Sequence, residues 1–192
     1  MKKNYPLNLP VSAAGKSFSP SLLIDAEKLL HLNPIWIVKE LRTEQNTFEA
    51  DLQDHETEKE FTVKGEIVAG RDDSLTVEFS EGDYTSVTIA PATEKYEAVV
   101  TYRDSDFKDE SDLERNTVMW LRSIQEYLRL YRKSSLNTVF FRFIMNRIVM
   151  KMTPSQRKIS LMLLRITAVE LLVILIIVIG YVFFVLKPLG SS

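Results

Sequence analysis

The sequence predicts an α+β fold, in which an antiparallel sheet is covered by one long helix, followed by a transmembrane helix. Three observations predict it. Apolar residues alternate with polar ones across residues 36–102, recur at helical spacing across residues 113–131, and run almost unbroken across residues 166–186. Period-two alternation is typical of strands with one wet face, and a 3.6-residue period is typical of an amphipathic helix.

The elements before this sheet are short. Apolar residues alternate within the proline-containing segment 7–11, which predicts an edge strand, because proline is tolerated at a sheet edge. Ser19-Pro20 is a helix-start signal, and apolar residues follow it at helical spacing. Asn33-Pro34 predicts the end of that helix.

Six alternating runs then predict an antiparallel meander that is half exposed to water. Turn signals at residues 70–73, 81–83 and 91–93 separate the later runs. The inward-facing residues of the six runs, in order, are Trp36 and Val38; Phe48, Ala50 and Leu52; Phe61, Val63, Gly65 and Ile67; Leu75, Val77 and Phe79; Thr85, Val87 and Ile89; and Tyr96, Ala98, Val100 and Tyr102.

A long amphipathic helix is predicted across residues 113–131, because apolar side chains recur there every three or four residues. It is long enough to lie across the sheet and cover its apolar face. Residues 136–152 combine apolar side chains with three basic ones and no acid. This segment is either a basic amphipathic helix at the membrane surface or a helix packed on the domain or forming a stalk.

The apolar stretch 166–186 predicts a transmembrane helix. Its 21 residues carry one charge, Glu170, and at about 1.5 Å per residue they span roughly the hydrocarbon core of a bilayer. Glu170 is either a pairing group inside a membrane complex or an interfacial carboxylate within reach of Arg165. The basic residues before the span, which we predict to lie at the membrane surface, are Arg142, Arg147, Lys151, Arg157, Lys158 and Arg165.

Charge is distributed unequally between the two parts of the chain. Residues 1–118 contain 13 Lys and Arg against 24 Asp and Glu, whereas residues 119–192 contain 11 against 2. The positive-inside rule places the N-terminal domain in the cytoplasm, anchored to the cell (inner) membrane by a single pass. Lipid headgroups explain the basic segment more simply than nucleic acid, so no nucleic-acid partner is predicted.

Several stretches resemble the START-like, SRPBCC or Bet v 1-like superfamily, over roughly residues 5–133. They are FTVKGEIVAG (61–70), LTVEFSEGDYTSVTIAP (75–91), EAVVTYRDSDF (97–107) and ERNTVMWLRSIQEYLRLY (114–131), with the pairs Trp120-Leu121 and Tyr127-Leu128. The N-terminal part departs from the pattern, because the helical region before Trp36 is short. The resemblance implies a membrane-anchored member with a helix-grip fold and a cavity for a hydrophobic molecule.

The inward faces supply the candidate binding residues. An apolar pocket with a polar group from Tyr102 or Tyr127 is one interpretation, and a completely filled core is the other. The pocket candidates are Phe48, Phe61, Val63, Phe79, Trp120, Ile124 and Tyr127.

No catalytic chemistry is evident in the sequence. It contains no cysteine, which excludes a disulfide scaffold, a thiol nucleophile and Cys-ligated metals. His31 and His55 lack metal-ligand spacing, and no nucleophile elbow or phosphate-binding loop occurs. We therefore predict no enzyme, no cofactor and no metal.

The predicted organisation is a domain at 1–133, a basic neck at 134–165, a span at 166–187 and a tail at 188–192. Two functions fit it: a membrane-anchored carrier or sensor of a lipid, quinone or similar molecule, and a non-catalytic accessory subunit of a membrane complex. The predicted partners are the bilayer, a hydrophobic ligand and that complex.

Overall fold

The computed structural model of the chain describes residues 1–11, 19–70, 72–103, 110–132 and 135–183. It forms two compact units, Met1–Pro154 and Ser155–Ser192. The first unit holds a sheet and the helices packed on it, and the second holds most of one long helix. The predicted tail, 188–192, and the last residues of the predicted span, 184–187, lie outside the described residues. The predicted domain limits at 133 and 165 stay predictions.

Within the described residues, the sheet has seven antiparallel strands in the order β1-β7-β6-β5-β4-β3-β2. Six of them form the predicted meander, and the first strand of the chain joins the last one at an edge of the sheet. The strands are β1 (Lys2–Pro10), β2 (Trp36–Glu44), β3 (Thr47–Asp54), β4 (Glu60–Ala69), β5 (Leu75–Phe79), β6 (Tyr84–Pro91) and β7 (Lys95–Tyr102).

The predicted single helix after Ser19-Pro20 is in fact two short helices, α1 (Pro20–Leu23) and α2 (Ala26–His31). The backbone of Ile24 is extended, and the Asp25 carboxylate accepts a hydrogen bond from the Lys28 amide at 2.8 Å. An aspartate in this position caps a new helix start, so helical spacing alone did not reveal the break.

The later helices are α3 (Glu110–Arg132), α4 (Leu136–Arg147) and α5 (Pro154–Tyr181), with a 3-10 turn at Val149–Lys151 between α4 and α5. The apolar side of α3 packs on the apolar face of the sheet, and Trp120, Ile124 and Leu128 are fully buried there. Burial of each such side chain contributes about 1.5–3 kcal/mol relative to exposure. The predicted fold class is confirmed: this is a helix-grip domain.

Two polar contacts fix α3 within the core. The Trp120 Nε1 group donates to the carbonyl oxygen of Leu29 in α2 at 3.0 Å. The hydroxyls of Tyr84 and Thr117 lie 3.1 Å apart, which ties β6 to α3. Because buried polar groups cost free energy when they lack partners, these contacts set the position of α3 as well as stabilising it.

α4 packs on the end of α3. Arg142 Nε donates to the Leu130 carbonyl oxygen at 2.8 Å, and the guanidinium lies 4.7 Å from the centre of the Tyr131 ring. The Tyr127 hydroxyl donates to Asn146 Oδ1 at 3.2 Å. Met150, in the 3-10 turn, is buried in the core. The segment that follows α3 therefore contributes to the first compact unit.

α5 has 28 residues, and its part from Leu171 to Tyr181 carries no charged side chain. It is the one helix among the described residues that is long and apolar enough to cross a bilayer.

Candidate functional site

The pocket candidates lie in the core between the sheet and α3. All are buried except Phe61, which is half-buried. The rings of Phe48 and Phe79 contact edge to face at 6.0 Å, and Phe79 is 6.4 Å from Trp120. Aromatic pairs at these separations contact each other directly, so these rings fill much of the space that the fold encloses. Their assignment to a ligand pocket stays a prediction.

Tyr102 and Tyr127, the two candidate polar groups of the pocket, both contact other side chains through their hydroxyls, and their role in a pocket stays a prediction. The hydroxyls of Tyr102 and Tyr5 lie 2.6 Å apart, and Tyr127 is engaged by Tyr131 and Asn146 at the contact between α3 and α4. Burial raises the pKa of the Tyr5 phenol, and its hydrogen bond with Tyr102 raises it further. The Tyr5 phenol therefore stays neutral at ordinary pH.

One end of the domain has an open cleft of about 350 Å³. Four parts of the chain meet there: the turn before β2, the β3–β4 turn, the β5–β6 turn and the first turns of α3. Its lining residues are Asn33, Ile35, Trp36, Asp54, Thr57, Lys59, Phe61, Thr62, Gly82, Asp83, Tyr84, Leu113 and Asn116. We call this feature the Trp36 cleft.

Aromatic rings form the apolar wall of the Trp36 cleft. The Trp36 ring contacts Phe61 at 6.0 Å and Tyr84 at 6.2 Å, both edge to face. Behind it, Trp120 lies 5.3 Å from Trp36. The wall is therefore supported by the core, and its rings are held in place before any ligand arrives.

The polar side of the cleft contains an unsatisfied acceptor. Asn116 Oδ1 is buried and has no hydrogen-bond partner, a condition that costs about 1–3 kcal/mol. Burial also raises the pKa of the Asp83 carboxyl, and the positive charge of Lys59 acts in the opposite direction. The cleft thus offers aromatic surface beside polar groups that are incompletely solvated.

The rim of the cleft is held by the β3–β4 turn. The Asp54 carboxylate accepts hydrogen bonds from the amides of Glu56 and Thr57 at 2.9 and 2.7 Å. Arg115 of α3 lies 3.6 Å from the Glu56 carboxylate. These contacts connect the turn to α3 and keep the entrance in one shape.

Metal chemistry has no evident support here. Among the described residues, no group of three or more His, Cys, Asp or Glu side chains is placed to hold a metal ion. His31 ends α2 and His55 lies in the β3–β4 turn, so the two histidines belong to different elements.

Sequence reasoning included Phe61 of the cleft but missed Tyr84, Asp83 and Asn116 as site residues, and it placed Trp36 only on an inward strand face. These side chains come from separate segments, and only the packed structure brings them together. In the sequence, the local signal for this site is a polar residue followed by an aromatic one at the end of a turn, as in Asp83-Tyr84.

The predicted membrane-surface residues lie on or just after α4 and on α5. Arg142 is half-buried and bound to α3, whereas Arg147 and Lys151 are exposed. Arg157, Lys158 and Arg165 lie on α5. A membrane role for these residues stays a prediction.

No protein-family model and no curated protein sequence matches the chain. Some solved structures do match the chain. A hypothetical protein from Sulfolobus tokodaii has 14% identity and a TM-score of 0.46 over 69% of this chain and 96% of its own. The Zhui aromatase/cyclase from Streptomyces sp. R1128 has 12% identity and a TM-score of 0.44 over 70% and 95%.

An AHSA1-like protein from Aeromonas hydrophila has 10% identity and a TM-score of 0.38 over 70% of this chain and 99% of its own. The assignment of the fold itself rests on the strand order and the packing of α3 described above.

Proposed function

We propose that this protein is a membrane-anchored, non-catalytic binding protein for a small amphipathic molecule, which it holds in the Trp36 cleft. The observation that carries this proposal is the combination of a preformed aromatic wall with the unsatisfied acceptor of Asn116. The predicted START-like relationship agrees with it, because that resemblance implies a hydrophobic ligand.

The size of the cleft restricts the ligand. A volume of about 350 Å³ is at the lower end of the range of about 300–1,000 Å³ that is usual for small-molecule sites. A ring system with a short substituent fits this space, and a whole phospholipid does not. Edge-to-face contacts already hold Trp36 against Phe61 and Tyr84, so binding requires little ordering of the protein.

The polar side of the cleft restricts the ligand further. A hydroxyl or amide N–H on a ligand that displaces the groups covering Asn116 Oδ1 would donate to this oxygen and remove the cost of leaving it unsatisfied. A purely apolar ligand would leave the cost in place. We therefore expect a ligand with an aromatic or alicyclic body and a hydrogen-bond donor at one end.

The membrane anchor suits such a ligand. Amphipathic molecules of this size partition into bilayers, and α5 would keep the domain where they accumulate, which raises their effective concentration. The excess of basic residues before α5 favours a cytoplasmic location for the domain. Carrier and sensor roles both follow from binding at this place.

The test uses the full chain in lipid nanodiscs, titrated with 2-naphthol and with naphthalene. The two probes share a ring system, but only 2-naphthol has a hydroxyl donor. We expect saturable binding of both, with 2-naphthol bound about 2- to 12-fold more tightly, which corresponds to a net hydrogen bond of about 0.5–1.5 kcal/mol. Asn116→Leu should remove this preference, and Trp36→Leu should weaken both probes.

Asn137→Leu is the matched control, because Asn137 is exposed on α4, and it should leave both affinities unchanged. Nanodiscs without protein correct for probe that partitions into lipid. Equal binding of both probes by the wild type, Trp36→Leu and Asn116→Leu chains would contradict the proposal. Native mass spectrometry of the intact chain then identifies a ligand retained from the cell.

A further inference from the structure

The outward side of α4 is apolar where a surface helix is usually polar. Leu136, Val139, Phe140 and Phe143 recur along one side, at 90%, 53%, 59% and 60% exposure. Spacings of three and four residues place them on a common stripe. A contiguous group of large exposed apolar side chains marks a surface that contacts something else.

The opposite side of α4 fixes the direction of this stripe. Arg142 is bound to the Leu130 carbonyl oxygen and to the Tyr131 ring, and Met145 packs against the core. At its start, the Ser135 hydroxyl and the Thr138 side chain form a capping box. The helix is therefore anchored on one side, and the apolar stripe cannot turn inward without loss of these contacts.

The charges around the stripe indicate its partner. Between Glu126 and Glu170 the sequence has nine Lys and Arg and no Asp or Glu. Arg147, in the last turn of α4, and Lys151 are both exposed. Aromatic side chains flanked by basic ones are typical of helices that lie in the interface of an anionic membrane.

The position of α4 in the chain agrees with that partner. Only six residues separate Arg147 from Pro154, the first residue of the apolar helix α5. Anionic headgroups attract each exposed Lys and Arg near the surface, so basic residues without an acid, next to an apolar helix, favour an anionic lipid surface.

We infer that the outward stripe of α4 binds an anionic lipid surface, with Phe140 and Phe143 inserted at the boundary between headgroups and acyl chains. This inference depends on the proposed membrane anchoring by α5. It adds a second membrane contact, made by the folded domain itself, to the contact made by the span.

The absence of cysteine from the sequence permits a direct test with single-cysteine variants of the full chain. Nitroxide labels are placed at Phe143→Cys, at Glu126→Cys as an exposed control on α3, and at Ile176→Cys within the apolar part of α5. Collision rates with oxygen and with a nickel chelate are measured in vesicles of phosphatidylglycerol and phosphatidylcholine, and in vesicles of phosphatidylcholine alone.

We expect an oxygen-to-nickel ratio at position 143 that is several-fold above the ratio at position 126 in the anionic vesicles. The ratio should fall in phosphatidylcholine alone and in the Arg147→Glu/Lys151→Glu background. A label at position 143 that is as accessible to nickel as the one at 126 overturns the inference. If the label at 176 is still buried in lipid, the anchor stands without the α4 contact, so the two failures are distinguishable.

The same measurements also detect a second copy of the chain bound to the outward stripe of α4. The ratio at position 143 is recorded at two protein-to-lipid ratios, together with spin–spin broadening. Burial that is independent of protein density and free of broadening supports the lipid surface. Burial that appears only at high density, with broadening, overturns it in favour of self-association.

Discussion

The aromatic ring of Phe48 lies over the backbone of Gly65, its register partner on β4. A Cβ atom at Gly65 would be 2.8 Å from Phe48 Cζ and 2.5 Å from the Glu78 carbonyl oxygen. Phe79 of β5 is paired with the same glycine on its other side. The missing side chain therefore makes room for the Phe48 ring, which packs edge to face on Phe79.

Gly65→Ala should destabilise the domain by about 1–3 kcal/mol, the usual cost of overpacking a core. The measurement is urea unfolding of the full chain in mild detergent. Gly180→Ala is the matched control, because a Cβ at Gly180 meets nothing within 4 Å. The double variant Phe48→Leu/Gly65→Ala should recover part of the loss, since a smaller side chain frees the space. Additive losses in the double variant would count against this packing.

Tyr84 should make the domain less stable at high pH. Burial raises the pKa of its phenol above the ordinary value near 10, against the hydrogen bond with Thr117, which lowers it. The phenol ionises in the unfolded chain from about pH 10 but stays neutral in the folded one, so stability is lost as pH rises above about 10.

In unfolding experiments between pH 8 and 11, the free energy of unfolding of Tyr84→Phe should therefore fall less steeply above pH 10 than that of the wild type. The difference in slope is up to about 1.4 kcal/mol per pH unit. Below pH 9 the free energies of unfolding of the two proteins should change with pH in parallel. Parallel curves throughout the range would show that Tyr84 ionises equally in both states.

Asp83 is expected to lower the stability of the domain at neutral pH. Burial raises the pKa of its carboxyl, so the folded state opposes the charged form more than the unfolded state does. This penalty is present above the folded pKa and disappears as pH falls through it. Asp83→Asn should raise the unfolding midpoint at pH 7, and the gain should shrink towards pH 4.

Glu81→Gln, an exposed change on the same turn, should show no such gain. A stable Asp83→Asn variant would also agree with the general trade-off between stability and function, because Asp83 lines the Trp36 cleft. If Asp83→Asn is less stable than the wild type at pH 7, the carboxylate has a favourable partner in solution and the prediction is wrong.

Arg142 should hold α4 on α3. Arg142→Ala removes the hydrogen bond to the Leu130 carbonyl oxygen and the contact with the Tyr131 ring, which leaves a partly buried acceptor without its donor. We expect amide hydrogen exchange across α4 to accelerate by about tenfold, equivalent to about 1.4 kcal/mol. Arg147→Ala, an exposed change on the same helix, should leave exchange in detergent unaltered.

Local periodicity was enough to predict the strands and α3, because each depends on which side of an element is apolar. In β6 it placed Thr85 inward, whereas the structure exposes Thr85 and buries Tyr84, next to a shift of register. Periodicity could not show whether the inward side is filled. Phe48 and Trp120 pack into the interior, and one open cleft lies at the end of the domain beside Trp36. Periodicity also missed the helix break at Asp25, because a single capping side chain decides it.

The pairing of β1 with β7 has a consequence for synthesis of the protein. Lys2 of β1 pairs with Thr101 of β7, so the first strand leaves the ribosome long before its partner exists. At about 5–20 residues per second, the wait is on the order of 5–20 seconds. During that time the strand is unpaired and its backbone hydrogen-bonding groups are open to other chains. Its lysines and prolines hinder such pairing. The sheet is therefore completed only after β7 has left the ribosome, which precedes the synthesis of α5.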